Sequence, residues 1–325
     1  DVFVAGGGPA GLVAGLGAAR AGARVLLVDE QAQLGGTLLF SPAVIGGQTG
    51  LDWVSELEAE LRSFPQVTIL SRSTVTGYYD HNFLVVNERR TDHIGPSQAS
   101  SKRVRERLWR IRAKQVVIAT GAIERPLVFD GNDTPGVMLA SAVSTYIRRY
   151  AVAPGRSGAV FTNNDSGYQA ALDMASAGMK VRALVDIREN PGASVLAAVS
   201  DYDIPVYRGC VVPSVQSGFQ GLKRIELAKL SPGGEDILSH KGLIDCQVLA
   251  MSGGWSPAVH LHSQSGGRPC YDKAKACFVP GVSVQAECSV GACSGSFTLA
   301  ACLKEGADAG IGAAAQSGWP GGYVD

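Results

Sequence analysis

Short apolar runs recur along the chain, each stopped by a glycine or a carboxylate and followed by a small-residue segment of helical spacing. Val2-Phe3-Val4-Ala5 carries no alternation, the signature of a strand buried on both faces of a parallel sheet. Residues 12–21 then read as an Ala/Leu/Gly helix ended by Gly22. Val25-Leu26-Leu27-Val28 repeats the buried-strand pattern and ends at Asp29. Leu51, Val54, Leu57 and Leu61 fall on one helical face, and 67–70 returns to a strand. Over 74–112, aromatic and β-branched residues alternate with polar turns, which predicts antiparallel strands. Val116-Val117-Ile118 is another buried strand, closing on Ala119-Thr120-Gly121.

A second strand–helix–strand unit opens near Gly158. It has a strand at 159–161, a helix at 168–177 ended by Gly178, and a strand at 181–185 closing on Asp186. Strands are expected again over 205–230, 242–251 and 282–290, and a last helix over about 297–306. This order predicts an α/β fold with two nested dinucleotide-binding domains of the Rossmann type. Residues 1–150 plus 244–325 form one domain, and 151–243 form a second domain inserted into it.

Composition narrows the function. Lys+Arg and Asp+Glu are both 29, so the net charge is zero, and neither a nucleic acid nor a membrane surface is an expected partner. No apolar run is long enough for a membrane span. The 7 cysteines are odd in number, begin only at Cys210 and include no CxxC pair, so a reducing cytoplasm is expected and neither a disulfide framework nor a metal site is. The chain opens on Asp1 with a strand at once and has no signal-like segment, which suggests a portion of something longer.

The chemistry sits in Gly6-Gly7-Gly8-Pro9-Ala10-Gly11, a GxGxxG loop with its full context: strand before, helix after, second strand, terminal acid. Gly6 permits the turn, Gly8 lets backbone approach a pyrophosphate, and Gly11 lets helix and strand pack closely. The helix start favours the phosphates, and Asp29 suits a ribose diol while disfavouring a 2′-phosphate. Glu30, Gln31 and the Leu34-Gly35-Gly36-Thr37 string extend the site, and Ala119-Thr120-Gly121 has the form of the crossover used by flavoproteins with two dinucleotide domains; together they resemble that class, glutathione-reductase-like in layout. Those features alone predict FAD. In that class, however, an acid follows the glycine after the last strand, and here the pair is Gly291-Ala292. A dinucleotide without a ribityl chain has no need of that carboxylate. In the second unit, Thr162 and Asn164 replace the first glycines, so its loop is read as degenerate.

Several longer strings carry a specific resemblance: 77–81 (Gly-Tyr-Tyr-Asp-His), 119–129 (Ala-Thr-Gly-Ala-Ile-Glu-Arg-Pro-Leu-Val-Phe), 132–138, 162–166 and 252–255. Together they resemble the α subunits of heterotetrameric sarcosine oxidases, whose relatives occur in dye-linked proline dehydrogenase, opine oxidase and hydrogen cyanide synthase. The resemblance implies NAD held non-covalently in the first domain, with FAD on a β subunit, FMN at the α/β interface, and γ and δ subunits as further partners. A folate-handling region of the longer α chain is missing here. The implied reaction takes sarcosine and oxygen to glycine, formaldehyde or methylene-tetrahydrofolate, and hydrogen peroxide, with no catalytic residue on this chain. The residues it assigns to NAD are Gly6, Gly8, Ala10, Gly11, Asp29, Glu30, Gln31, Gly36, Thr37, Val75, Ala119, Thr120, Gly121, Ala292, Phe297 and Leu299.

Two rivals remain: the α subunit of a related dye-linked amino-acid or opine dehydrogenase, and a self-contained FAD-dependent NAD(P)H oxidoreductase. The second would want glycines in the second loop and a redox cysteine pair. His260 and His262, on alternate residues, would share a face of a strand but lack further metal ligands. The basic run Lys102, Arg103, Arg105, Arg107, Arg110, Arg112 and Lys114 reads as a solvated strand, and Glu124 and Arg125 as a structural ion pair.

Overall fold

The computed structural model describes residues 1–95, 103–321 and 323. Lys102 of the basic run lies outside them. The chain divides into two compact units: Asp1–Ile123 with Ser256–Asp325, and Glu124–Trp255.

In the first unit, five parallel strands stand in the order Glu287–Ser289, Gln115–Ile118, Val2–Ala5, Val25–Val28, Val67–Leu70. Their uninterrupted apolar character follows from cover on both faces. Val2, Val4, Val25, Leu27 and Val117 belong to the core shared with Leu12, Leu16, Leu61 and Ala313, from the helices Pro9–Arg20, Gly50–Ser63 and Leu299–Gln316. Phe3, Ala5, Val28, Val116 and Ile118 face the opposite core with Tyr78, Leu84 and Val86. Those three come from the expected antiparallel sheet, Ser73–Tyr79, Phe83–Arg89 and Glu106–Arg112. On its third strand, Arg107 lies over Trp109 and Arg112 over Phe83, so part of the basic run is stacked as well as solvated.

The second unit repeats the plan. Its parallel sheet has the order Val137–Leu139, Val248–Ser252, Ser157–Thr162, Lys180–Asp186, Val206–Arg208. The antiparallel strands Cys210–Val211, Val215–Gly218, Gly221–Leu230 and Ile237–Asp245 form its second sheet.

Four expectations are corrected. The unit between the two halves of the first is longer than 151–243: Val137–Leu139 and Val248–Ser252 pair with each other, which brings both, and the helix Ala140–Tyr150, into it. The segment expected as one strand over 242–251 is two, because Cys246-Gln247 marks a passage from an antiparallel to a parallel sheet. Only Glu287–Ser289 of 282–290 is a strand, and Val282 and Val284, ahead of it, are largely exposed. His260 and His262 lie on a short helix, His260–Gln264, rather than on one face of a strand. His262 is buried there: the Gly281 N–H donates to its Nε2 at 3.1 Å, leaving Nδ1 to donate to Glu287 at 2.8 Å.

Glu124 is also buried, and its carboxylate accepts the Ser141 N–H at 2.8 Å, in the first turn of Ala140–Tyr150, where the helix dipole favours an anion.

Candidate dinucleotide-binding site

At the carboxyl ends of the first unit's strands, the 6–11 loop is packed on two sides and open on a third. A Cβ at Gly6, where φ is +108°, would lie 2.3 Å from the Ala119 carbonyl oxygen, and one at Gly11 only 1.8 Å from that of Gly6. These two glycines therefore bring crossover, loop and helix into contact. A Cβ at Gly8 would meet nothing nearer than the Gly36 Cα at 4.0 Å. Gly8 is the N-cap of Pro9–Arg20 and Pro9 its first residue; no side chain caps this helix and no acid sits in its first turn. Its free N–H groups thus face a cradle lined by backbone, the arrangement that receives a pyrophosphate.

Asp29 follows the second strand. Its Oδ2 accepts the Gly7 N–H at 2.6 Å and its Oδ1 the Gln31 N–H at 2.7 Å, so the carboxylate is held in place by loop backbone on both sides. Each oxygen keeps a second lone pair for a ribose hydroxyl. Burial pushes the Asp29 carboxyl above its ordinary value, and the Gln31 and Gly7 N–H groups offset part of that rise. Glu30 is exposed, and its carbonyl accepts from the Arg89 guanidinium at 3.1 Å. Gln31 is exposed too, and its carbonyl accepts the Arg72 N–H.

Gly36 begins the 3-10 turn Gly36–Leu39, with Thr37 exposed beside it. Gly35 N–H donates to the Gly7 carbonyl at 2.7 Å, which fastens this turn to the loop. Val75 is partly buried against the antiparallel-sheet core, at a bulge between Val75 and Gly77.

On the other side of the first strand, the Ala119 N–H donates to the Ala5 carbonyl, and Thr120 Oγ1 lies 3.0 Å from the Ala258 carbonyl and 3.2 Å from Cys293 Sγ. Burial raises the Cys293 thiol above its ordinary value, so it stays protonated there. Gly121, at φ +74°, has open space where a Cβ would stand. Ala10 is buried, and a Cβ on Gly291 would come 2.9 Å from its own. Ala292 lies in the turn Gly291–Ser294, between Gly291, which abuts Ala10, and Cys293, which meets Thr120. The last two expected residues diverge: Phe297 is 45% exposed, whereas Leu299 packs on the helix-side core.

Sequence reasoning missed Glu305. From the Leu299–Gln316 helix it accepts the Gly291 N–H at 2.8 Å, and the hydroxyls of Ser294 and Ser296. Its only signal was an acid in the second turn of the last helix, well after the place of the missing Gly-Asp carboxylate.

The corresponding corner of the second unit is filled by the protein itself. Asp186, fully buried at the end of its strand, takes the Tyr168 hydroxyl at 2.9 Å and the Arg188 guanidinium at 2.8 Å. Arg188 also pairs with Asp165 at 2.8 Å. The Asn164 side chain donates to Ser252 and accepts the Ser166 N–H, the first amide of the Ser166–Ser176 helix, at 3.1 Å. A Cβ at Gly167 would collide with Thr162 Oγ1 at 2.5 Å. Among the described residues, no group of three His, Cys, Asp or Glu side chains is placed to hold a metal, and no helix is long and apolar enough to cross a membrane.

A family model described as FAD dependent oxidoreductase matches residues 1–112. The chain is 42% identical over 322 residues to the sarcosine oxidase subunit alpha of Corynebacterium sp. (strain P-1), covering 98% of this chain and 33% of that protein. It thus spans about a third of the length of the curated relatives it matches. Among solved structures, it is similar to L-proline dehydrogenase from P. horikoshii, with a TM-score of 0.72, 20% identity, 98% of this chain and 56% of that one. T. acidophilum thioredoxin reductase superposes with a TM-score of 0.74, 18% identity and 98% of both chains. The two structural likenesses establish an α/β fold of the dinucleotide-binding, pyridine-nucleotide-disulfide-oxidoreductase type. The sequence identity, carried over nearly the whole chain, places it in the family of sarcosine oxidase α subunits.

Proposed function

We propose that the first unit holds one molecule of NAD, as the non-catalytic nucleotide-binding part of a sarcosine oxidase α subunit. The observation that carries this reading is the uncapped helix start at Gly8, set beside a carboxylate, Asp29, that the loop holds in place. Gly6, Gly8, Ala10, Gly11 and Gly36 would hold the pyrophosphate. Asp29, with Glu30, Gln31, Thr37 and Val75, would hold the adenosine. Ala119, Thr120, Gly121, Ala292, Phe297 and Leu299 would line the way to the nicotinamide. Bound NAD supplies an anionic scaffold and a ring able to exchange hydride; the chain's own part is to orient it and shield it from water.

NAD is favoured over FAD because Ala292 offers no acid to a ribityl chain, and the Glu305 carboxylate is taken by Gly291, Ser294 and Ser296. NADP is disfavoured because Asp29 would face its 2′-phosphate. In the whole oxidase, FAD on a β subunit and FMN at the α/β interface would oxidise sarcosine, with oxygen accepting the electrons. The γ and δ subunits would complete the assembly, and a cytoplasmic setting suits it.

The FAD reading has its own support, since the family model matching 1–112 is one of FAD dependent oxidoreductases. Mass spectrometry of the nucleotide released on denaturation separates the two. One equivalent of NAD from a colourless chain is expected, and stoichiometric FAD would overturn the assignment.

A further inference from the structure

Glu305 lies in the second turn of Leu299–Gln316, behind the 291–296 loop. One of its oxygens accepts the Gly291 N–H at 2.8 Å and the Ser294 hydroxyl at 2.7 Å, and the other accepts the Ser296 hydroxyl. Burial opposes its ionisation, yet these donors outweigh it and hold the carboxyl below its ordinary value. The loop it grips abuts Ala10 in the first turn of Pro9–Arg20, and through Cys293 it reaches Thr120. It follows the edge strand Glu287–Ser289, two strands from Val2–Ala5 on one side, whereas Asp29 follows Val25–Val28 on the other. The strand order therefore separates the loop from the adenosine corner.

We infer that Glu305 is a positioning residue: it fixes the 291–296 loop over the half of the dinucleotide beyond the pyrophosphate and takes no part in holding the adenosine half. The inference rests on the dinucleotide reading above. Gly291, at φ +68°, presents its N–H to the carboxylate. Without that acceptor, the amide and two hydroxyls lose a charged partner, and the 291–296 loop loses its anchor to the Leu299–Gln316 helix.

The test is calorimetric titration of nucleotide-stripped protein with NAD and, separately, with AMP, which reaches only the adenosine corner. Glu305→Ala is expected to weaken NAD about tenfold, the scale of one hydrogen bond to a charged group, while AMP changes less than about twofold. Glu305→Gln, which keeps one acceptor oxygen but no charge, should fall between; if the alanine variant does not fold, its NAD-to-AMP contrast serves instead. Equal weakening of both ligands would assign Glu305 a merely structural role, and unchanged affinities no role, and either overturns the inference. A wild-type protein that binds AMP but not NAD, or neither, overturns the dinucleotide reading itself and the inference with it.

Discussion

Asp29, the proposed ribose contact, is held partly buried at its strand end. Its carboxyl is raised in the folded chain, first by burial, so its neutral form is the one folding favours. That contribution to stability is present below the unfolded value and lost as pH rises through the folded one. Nucleotide binding at this carboxylate would have the opposite sense, because ribose hydroxyls would donate to its ionised form. NAD affinity should therefore fall as pH drops through a midpoint above the ordinary aspartate value, as titration at graded pH would record. Asp29→Ala should weaken NAD at least about tenfold, since each charge-assisted bond is worth roughly 1.5–3 kcal/mol. It should leave sarcosine turnover of an assembled oxidase intact, and lost turnover would draw NAD into electron flow. Gly11→Ala should be harsher: its Cβ would stand 1.8 Å from the Gly6 carbonyl oxygen. Loop and helix must then part, and the purified protein should carry no nucleotide.

Among the elements, the last helix holds most of what the pattern of residues concealed. It was expected to stop near Gly306, since a glycine usually ends a helix, yet it runs Leu299–Gln316. Gly306 and Gly310 serve packing: Cβ atoms there would lie 2.2 Å from the Ala10 and 2.1 Å from the Ala14 carbonyl oxygens, so this helix rests backbone to backbone on Pro9–Arg20. Gly310→Val should lower stability by about 1–3 kcal/mol. Gly312→Ala, with nothing within 4 Å of its Cβ, should be neutral or raise it by about 0.5–1 kcal/mol. Thermal unfolding of the pair reads both. The 6–11 loop and Asp29 were legible because their geometry is local, fixed by glycine spacing and one strand end. Val137–Leu139 was not, because three residues carry no period and its partner lies beyond residue 247. Arg188 was equally silent: Asp186 is only two residues away, but Asp165 is brought to it by folding rather than by spacing.

At the scale of the whole molecule, two units of one plan differ in what fills the end of the sheet. In the first, the helix start is uncapped; in the second, Asn164, Tyr168 and Arg188 occupy the polar groups a nucleotide would use. One nucleotide per chain is the expected stoichiometry. A structure with bound NAD should place phosphates at Gly8 and none at Asn164; phosphates at Asn164 would overturn the reading of the second loop as degenerate. The internal guanidinium of Arg188 has a thermodynamic corollary. A diffusible ligand stabilises by mass action, as RT ln(1 + [L]/Kd), roughly 2.7 kcal/mol at a hundredfold excess over Kd. A tethered side chain has no concentration. The melting midpoint of the first unit should therefore track the nucleotide level around it, while that of the second stays indifferent to supply.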